Sequence, residues 1–155
     1  IPKTLYIVFV VGSSWESRNY PKEKYVQVAN ILKKNCLVIW GTEEERKKAE
    51  WMSIKSNYIQ VMPKLSLDDL KYVVGNASLL IGNDTGPSHM SWALNIPSIL
   101  LFGPTPVGRL FQTSKNKALN SGSKINHMQL NKNDFSIKDI AVNDIVKISN
   151  ELLKD

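Results

Sequence analysis

The segment Gly82-Asn83-Asp84-Thr85-Gly86-Pro87-Ser88-His89 has the residue types and spacing best suited to chemistry. It joins an apolar run to a helix-like stretch, so the amides near Thr85 and Gly86 should begin a helix. A helix start favours an anion, because its amides are free and the macrodipole is positive there. His89 follows one turn later, where it can donate a hydrogen bond to a phosphate oxygen. A purely structural histidine is the alternative.

Asp84 gives this anion site a second property. A carboxylate aimed at a phosphate would repel it, so we expect Asp84 to accept hydrogen bonds from hydroxyl groups, as a sugar offers. The alternative is that Asp84 only caps the helix.

Two other loops carry residues that suit a nucleotide. Ser13, Ser14 and Arg18 come before Pro21, and hydroxyls with a guanidinium suit a diphosphate. Glu43 follows the second apolar run, where an acid commonly holds ribose hydroxyls in nucleotide-binding sheets. Glu43 is equally suited to the positive end of a helix, so the ribose role depends on the other loops.

Several enzyme classes are disfavoured by what the sequence lacks. There is no Gly-x-Gly-x-x-Gly motif after the first apolar run and no Walker lysine motif, which argues against a dehydrogenase or a phosphate-loop hydrolase. No cluster of His, Cys and carboxylates predicts a metal, and we expect no cofactor. The single cysteine, Cys36, lies in an apolar run and is interpreted as a reduced core residue of a cytosolic protein.

The elements that must position these loops alternate between two kinds. Apolar, strand-like runs cover residues 5–11, 36–40, 58–61, 78–81 and 98–102, and helical patterns cover 22–34, 43–53, 67–74, a short stretch after Gly86, and 143–153. Thr42 with Glu45, and Ser66 with Asp69, have the spacing of helix caps. This alternation predicts an α/β fold: a Rossmann-like parallel sheet with helices on both faces.

In such a sheet, ligands bind beyond the carboxyl ends of the strands. Four of the five runs are followed directly by a glycine (Gly12, Gly41, Gly82 and Gly103), which allows close approach of backbone to ligand. The sequence therefore predicts one crevice, lined by loops at 12–20, 41–45, 62–66, 82–89 and 103–109.

The length of the chain limits the number of domains, and its charge indicates the kind of partner. The chain has 155 residues, enough for one domain, and a net charge of +6. Residues 103–138 carry six basic residues and one acid, so this basic segment holds +5 of that charge. It predicts an anionic partner, either a phosphate, a membrane surface or nucleic acid, and a solvated loop is the alternative. The run 5–11 follows Lys3 and imitates a short signal peptide, but a buried strand is the better interpretation.

Four motifs together resemble a known family. They are Trp40-Gly41, then Met62-Pro63-Lys64-Leu65-Ser66-Leu67, then Asn83-Asp84-Thr85-Gly86-Pro87-Ser88-His89, and finally Phe102-Gly103-Pro104-Thr105. In this order they resemble the C-terminal half of the lipopolysaccharide heptosyltransferases, glycosyltransferase family 9, and within it the heptosyltransferase I group. The resemblance implies the C-terminal, donor-binding domain of a GT-B enzyme over residues 1–155, with the N-terminal acceptor domain absent from this chain.

The resemblance also implies a reaction and a set of site residues. The donor would be ADP-heptose, and the acceptor a Kdo residue on lipid A, at the cytoplasmic face of the inner membrane. Nucleic acid is not implied as a partner. The general base of this inverting reaction is expected in the N-terminal domain, so no catalytic base is assigned here, and this fragment alone should be inactive. The donor-binding positions carried over by motif are Ser13, Ser14, Arg18, Glu43 (or Glu44, because the loop is short), Leu65, Asp84, Thr85, Gly86 and His89.

Two alternatives remain open on the sequence. One is another sugar-nucleotide enzyme of the same architecture, such as an epimerase. The other is a noncatalytic module that binds a nucleotide or phosphate without turning it over.

Overall fold

The fold is a six-stranded sheet with helices on both faces. The computed structural model describes residues 5–12, 19–83, 85–102, 115–120 and 136–153. The strands are β1 (Ile7–Val10), β2 (Cys36–Ile39), β3 (Ile59–Val61), β4 (Leu79–Asn83), β5 (Ser98–Phe102) and β6 (Asn116–Asn120). The helices are α1 (Lys22–Leu32), α2 (Glu43–Lys55), α3 (Leu67–Gly75), α4 (Gly86–Ala93) and α5 (Val142–Leu152), with a 3-10 helix at Ser136–Asp139.

The strand order is β3-β2-β1-β4-β5-β6, and every pair is parallel. This is the order of a Rossmann-type sheet, in which the chain runs outward from the centre in both directions. β1 lies at the centre, between β2 and β4, and all four of its residues are buried. The run after Lys3 is therefore a core strand, as predicted.

The helices cover the two faces of the sheet separately. Ile7 and Phe9 of β1 pack in a cluster with α1, α2 and α5, while Val8 and Val10 pack in a cluster with α3 and α4. This division follows from the alternation of side chains along a strand. The predicted α/β class with helices on both faces is confirmed.

The two predicted helix caps also form. Thr42 Oγ1 accepts a hydrogen bond from the Glu45 amide at 3.2 Å, and Ser66 Oγ accepts one from the Asp69 amide at 3.1 Å. In the reciprocal arm of a capping box, the glutamate bonds the amide of the capping residue itself. Here the Glu45 carboxylate instead accepts from Gly41, one residue earlier. That difference turns the side chain toward the edge of the sheet.

Two elements differ from the sequence prediction. The fourth strand was expected to end before Gly82, but β4 continues through Gly82 to Asn83. A Cβ on Gly82 would lie 2.5 Å from Val10 Cβ, so the missing side chain allows close packing inside the sheet. β6 was not predicted at all, because its sequence Asn-Lys-Ala-Leu-Asn has little apolar patterning. It forms by pairing with β5, and part of the basic segment is therefore an edge strand.

Cys36 begins β2 and is fully buried. Burial raises the pKa of its thiol to about 12. A thiol with that pKa stays protonated at neutral pH and is a poor nucleophile, which agrees with the predicted core role.

Candidate functional site

The sheet has one point at which neighbouring strands send their connections in opposite directions, and it lies between β1 and β4. Parallel sheets form their ligand crevice outside the carboxyl ends of the strands at this point. A cavity of about 440 Å³ opens there. Its lining residues come from the ends of β1 and β2, from α3 and from four of the predicted loops: Val10, Gly12, Ile39, Trp40, Gly41, Thr42, Glu45, Leu65, Leu70, Thr85 and Pro87.

Glu45 supplies the carboxylate among these lining residues. Its Oε1 accepts a hydrogen bond from the Gly41 amide at 2.9 Å, which fixes the side chain across the end of β2. The carboxyl group also occupies the space beside Gly12, since a Cβ built on Gly12 would lie 2.1 Å from Glu45 Cδ. Gly12 therefore makes room for Glu45, and the carboxylate is held at the boundary of the first and second loops.

The acids predicted from the sequence lie elsewhere. Glu43 is exposed and forms an ion pair with Arg46, with Oε2 2.9 Å from Nη2. Neither Glu43 nor Glu44 belongs to the lining of the cavity. The signal that points to Glu45 in the sequence is the capping spacing from Thr42, because the third residue of a helix reaches back over its own N-terminus.

An apolar wall faces the carboxylate. Trp40 Nε1 donates a hydrogen bond to the Met62 carbonyl at 2.7 Å, which ties the end of β2 to the loop after β3. Leu65 follows in that loop and lines the cavity together with Leu70 of α3. An indole with aliphatic neighbours suits a flat, apolar ring such as a nucleobase.

The start of α4 forms the other side of the cavity. Thr85 is the N-cap residue, and its side chain makes no capping hydrogen bond. Thr85 Oγ1 is buried and has no hydrogen-bond partner in the part of the chain that the structure describes. A buried hydroxyl without a partner is costly, and a ligand in this cavity would offer it one. Gly86 is exposed, with no atom within 4 Å of a Cβ built on it, so the backbone is accessible at the first turn of the helix.

The remaining predicted residues are divided between the surface and the undescribed part of the chain. His89 is exposed, and its amide donates to the Thr85 carbonyl at 3.1 Å within the first turn of α4. Its side chain is not part of the cavity lining. Ser13, Ser14, Arg18 and Asp84 lie outside the described residues, so their predicted roles stay predictions.

A second cavity of about 330 Å³ lies at the start of α1. Its lining carries net positive charge, because it includes Lys22, Lys48 and Lys138 against the single acid Glu23. Lys24 on the same turn of α1 donates to the carbonyl of Lys138. One lysine of the basic segment thus lies beside basic residues of α1 and α2.

The described residues contain neither a metal-binding cluster nor a membrane-spanning helix. No group of three or more His, Cys, Asp or Glu side chains there could hold a metal ion. No helix among those residues has the length and apolar character needed to cross a bilayer.

The family model of Glycosyltransferase family 9 (heptosyltransferase) matches residues 2–140. The chain belongs to glycosyltransferase family 9. The resemblance based on the four motifs is therefore confirmed.

Individual relatives agree with the family. Lipopolysaccharide heptosyltransferase 1 from Campylobacter coli is 39% identical over 160 residues, which cover 96% of this chain and 47% of that protein. The chain thus spans about half the length of this family 9 relative.

Solved structures share the fold. Escherichia coli heptosyltransferase WaaC with ADP has a TM-score of 0.79 at 22% identity, over 95% of this chain and 44% of that one. A family 9 glycosyl transferase from Veillonella parvula has a TM-score of 0.80 at 21% identity, over 97% of this chain and 46% of that one.

Proposed function

We propose that this chain is the donor-binding part of an inverting glycosyltransferase that moves heptose from ADP-heptose to a Kdo residue of lipid A in lipopolysaccharide synthesis. The observation that carries the proposal is the cavity between β1 and β4 in a chain of family 9. It combines an apolar wall, a carboxylate and the start of a helix, which are the three features that adenine, ribose and diphosphate require. The relative from Campylobacter coli is a lipopolysaccharide heptosyltransferase, and the structural neighbour WaaC was solved with ADP.

The apolar wall is the proposed adenine site. Trp40 and Leu65 line one part of the cavity, and the hydrogen bond from Trp40 to the Met62 carbonyl holds them together. Leu65 was predicted near the adenine, and its position in the cavity is compatible with that role.

An acid at the start of α2 is proposed to hold the ribose hydroxyls. Glu43 matches the family motif, but its carboxylate is paired with Arg46 at the surface. Glu45 lines the cavity, and Oε1 bonds the Gly41 amide, which leaves Oε2 for a hydroxyl donor. Geometry therefore favours Glu45 for this contact.

The diphosphate is proposed to lie against the first turn of α4. The buried Thr85 hydroxyl there has no partner among the described residues, and the amides of Thr85 and Gly86 start the helix. Arg18 and His89 would add positive charge and a hydrogen-bond donor, and Ser13 and Ser14 further donors. As the acceptor hydroxyl attacks the anomeric carbon and the bond to ADP breaks, negative charge develops on the β-phosphate. Donors fixed in advance around that charge lower the barrier, while Asp84 would hold the heptose hydroxyls.

We place the acceptor side of the proposal at the cytoplasmic membrane surface. Lipid A carries phosphates, and the basic segment 103–138 would favour an anionic surface. The cavity lined by Lys22, Lys48 and Lys138 extends positive charge from that segment to α1. The general base is expected outside this chain.

Binding of nucleotides to the 155-residue chain tests the proposal. We expect ADP to bind with a dissociation constant of about 1 mM, more tightly than UDP, because the adenine site is apolar and a smaller pyrimidine would fill less of it. The chain by itself should transfer no heptose. Titration followed by NMR and a heptose-transfer assay measure both. Equal binding of ADP and UDP would contradict the nucleotide assignment, and robust transfer would contradict the division of roles.

Membership of family 9 favours the transferase over both alternatives left open by the sequence. An epimerase of the same architecture would act on its nucleotide sugar without an acceptor. A noncatalytic module would bind ADP but would not support transfer in the complete protein.

A further inference from the structure

Asn83 is a fully buried amide at the end of an otherwise apolar strand. β4 reads Leu-Leu-Ile-Gly-Asn, and Asn83 has 0% of its surface exposed. Leu79 and Ile81 of the same strand pack in the cluster with α1 and α5. Asn83 therefore faces that side, since alternate residues of a strand share a face. A polar side chain there is stable only if its hydrogen bonds are made.

The hydrogen bonds of Asn83 come from three different elements. Its Oδ1 accepts from the Tyr20 amide at 3.1 Å and lies 3.2 Å from the Tyr25 hydroxyl of α1. Its Nδ2 donates to Asn19 Oδ1 at 3.2 Å. Its own carbonyl accepts from Ser88 Oγ of α4 at 2.6 Å.

The consequence is a direct link between the end of the predicted first loop and the start of α4. Asn19 and Tyr20 are the last residues of the loop predicted over 12–20, and Asn83 is two residues before Thr85. Tyr20 is itself fixed, since its hydroxyl donates to the Ile140 carbonyl at 2.6 Å. Burial raises the pKa of Tyr25, so its hydroxyl keeps its proton, for which the Asn83 Oδ1 and the Val10 carbonyl, each 3.2 Å away, are the two acceptors.

We infer that Asn83 is a positioning residue for the leaving diphosphate, because it fixes the spacing between the first loop and the start of α4. The inference rests on the proposed function, in which these two loops hold the two phosphates. Asn83 does not line the nucleotide cavity: its side-chain amide acts through Asn19 and Tyr20, while its backbone carbonyl holds Ser88 of α4. Loss of the amide should therefore weaken recognition of the β-phosphate more than recognition of the nucleoside.

The test compares ADP with AMP, which differ by the β-phosphate. In Asn83→Ala we expect the ratio of ADP affinity to AMP affinity to fall about tenfold. This is the size expected when one hydrogen bond from the protein to the charged β-phosphate is lost through misplacement of its donor. A simple loss of stability lowers the folded fraction and weakens both ligands by the same factor. The ratio is therefore the readout that a merely structural role would not move.

Asn116 offers a matched control. It is also a buried asparagine, with 4% of its surface exposed, and its Nδ2 donates to the Ile96 carbonyl and to Ser98 Oγ, both at 2.9 Å. It begins β6, at the amino edge of the sheet, whereas Asn83 ends β4 at the carboxyl edge. Asn116→Ala should destabilise the fold without changing the ratio.

Asn19→Ala provides a second route if Asn83→Ala does not fold. Asn19 is half-buried and is not part of a helix or strand, and its loss removes the acceptor of the bond from Asn83 Nδ2. The ratio should then fall several-fold. An unchanged ratio in Asn19→Ala, or an equal loss of ADP and AMP in Asn83→Ala, overturns the positioning role and leaves the ADP site intact. If the parent chain binds neither nucleotide, the proposed function itself is refuted.

Discussion

Gly12→Ala should turn the Glu45 carboxylate out of the cavity. The new Cβ would lie 2.1 Å from Glu45 Cδ and 2.5 Å from its Cγ, and non-bonded carbon atoms cannot approach so closely. The end of a flexible side chain is what must move, so Glu45 rotates away and the backbone stays in place. Gly12 does not adopt a left-handed conformation, and alanine therefore adds no backbone strain.

The expected cost divides into two measurable parts. Rotation breaks the hydrogen bond from the Gly41 amide to Glu45 Oε1, which at a solvent-accessible site is worth about 1 kcal/mol of folding free energy. If Glu45 holds the ribose, the bond lost to ADP is charge-assisted and worth about 1.5–3 kcal/mol, or a ten- to hundredfold loss of affinity. Urea unfolding measures the first part, and titration with ADP measures the second.

Three variants decide whether this reasoning holds. Gly41→Ala is the matched control, because its Cβ would lie 3.8 Å from Glu45 Oε1, an ordinary contact. Glu43→Gln breaks the pair with Arg46 and should leave ADP binding unchanged. In a Glu45→Ala background, Gly12→Ala should have no further effect on ADP. A further loss there would show that the methyl group itself blocks the nucleotide, and parent-like ADP affinity in Gly12→Ala would refute the ribose role of Glu45.

Four further outcomes are expected. Gly82→Ala should destabilise the fold by about 1–3 kcal/mol in urea unfolding. The new Cβ would lie 2.5 Å from Val10 Cβ, which cannot move without the backbone. An unchanged unfolding midpoint would contradict the close packing. Asp84→Asn should weaken ADP-heptose and spare ADP, whereas His89→Ala should weaken ADP itself; calorimetry with both ligands distinguishes them, and equal losses in Asp84→Asn would favour a capping role. The buried Cys36 thiol should resist modification by a thiol reagent at pH 8. Burial raises the pKa of the folded Cys36 thiol to about 12. The stability that the thiol contributes is therefore full below its unfolded pKa of about 8.5 and falls as the pH rises above that value. Cys36→Val should remove this pH dependence. Binding to anionic vesicles at low salt should fall, with ADP affinity unchanged, when four lysines of the basic segment are changed to Gln together: Lys115, Lys117, Lys124 and Lys132. Parent-like binding of this variant would show that the segment is only a solvated surface.

The local elements of this protein follow from its sequence. Apolar runs alternate with amphipathic segments, and this pattern alone predicts a parallel sheet with helices on both faces. Thr42 and Ser66 cap α2 and α3 as their spacing predicts, because a cap depends on residues within one turn. The motif from Asn83 to His89 joins the end of β4 to the first turn of α4, at the carboxyl edge of the sheet, as the alternation of strand and helix patterns predicts.

Features that depend on distant residues were decided by the tertiary structure. β6 has a weak pattern of its own and exists because β5 offers an edge to pair with. Three successive acids begin α2, and the capping spacing from Thr42 marks Glu45 without showing that its carboxylate faces the cavity. Glu45 enters the cavity because Gly12, more than thirty residues earlier, lacks a side chain at that place. Asn83 likewise reads as part of a loop motif, and its role as a link appears only when Asn19 and Tyr20 lie beside it. Local patterns fix helices, strands and caps, but the contacts that shape the site join residues that only the folded sheet brings together.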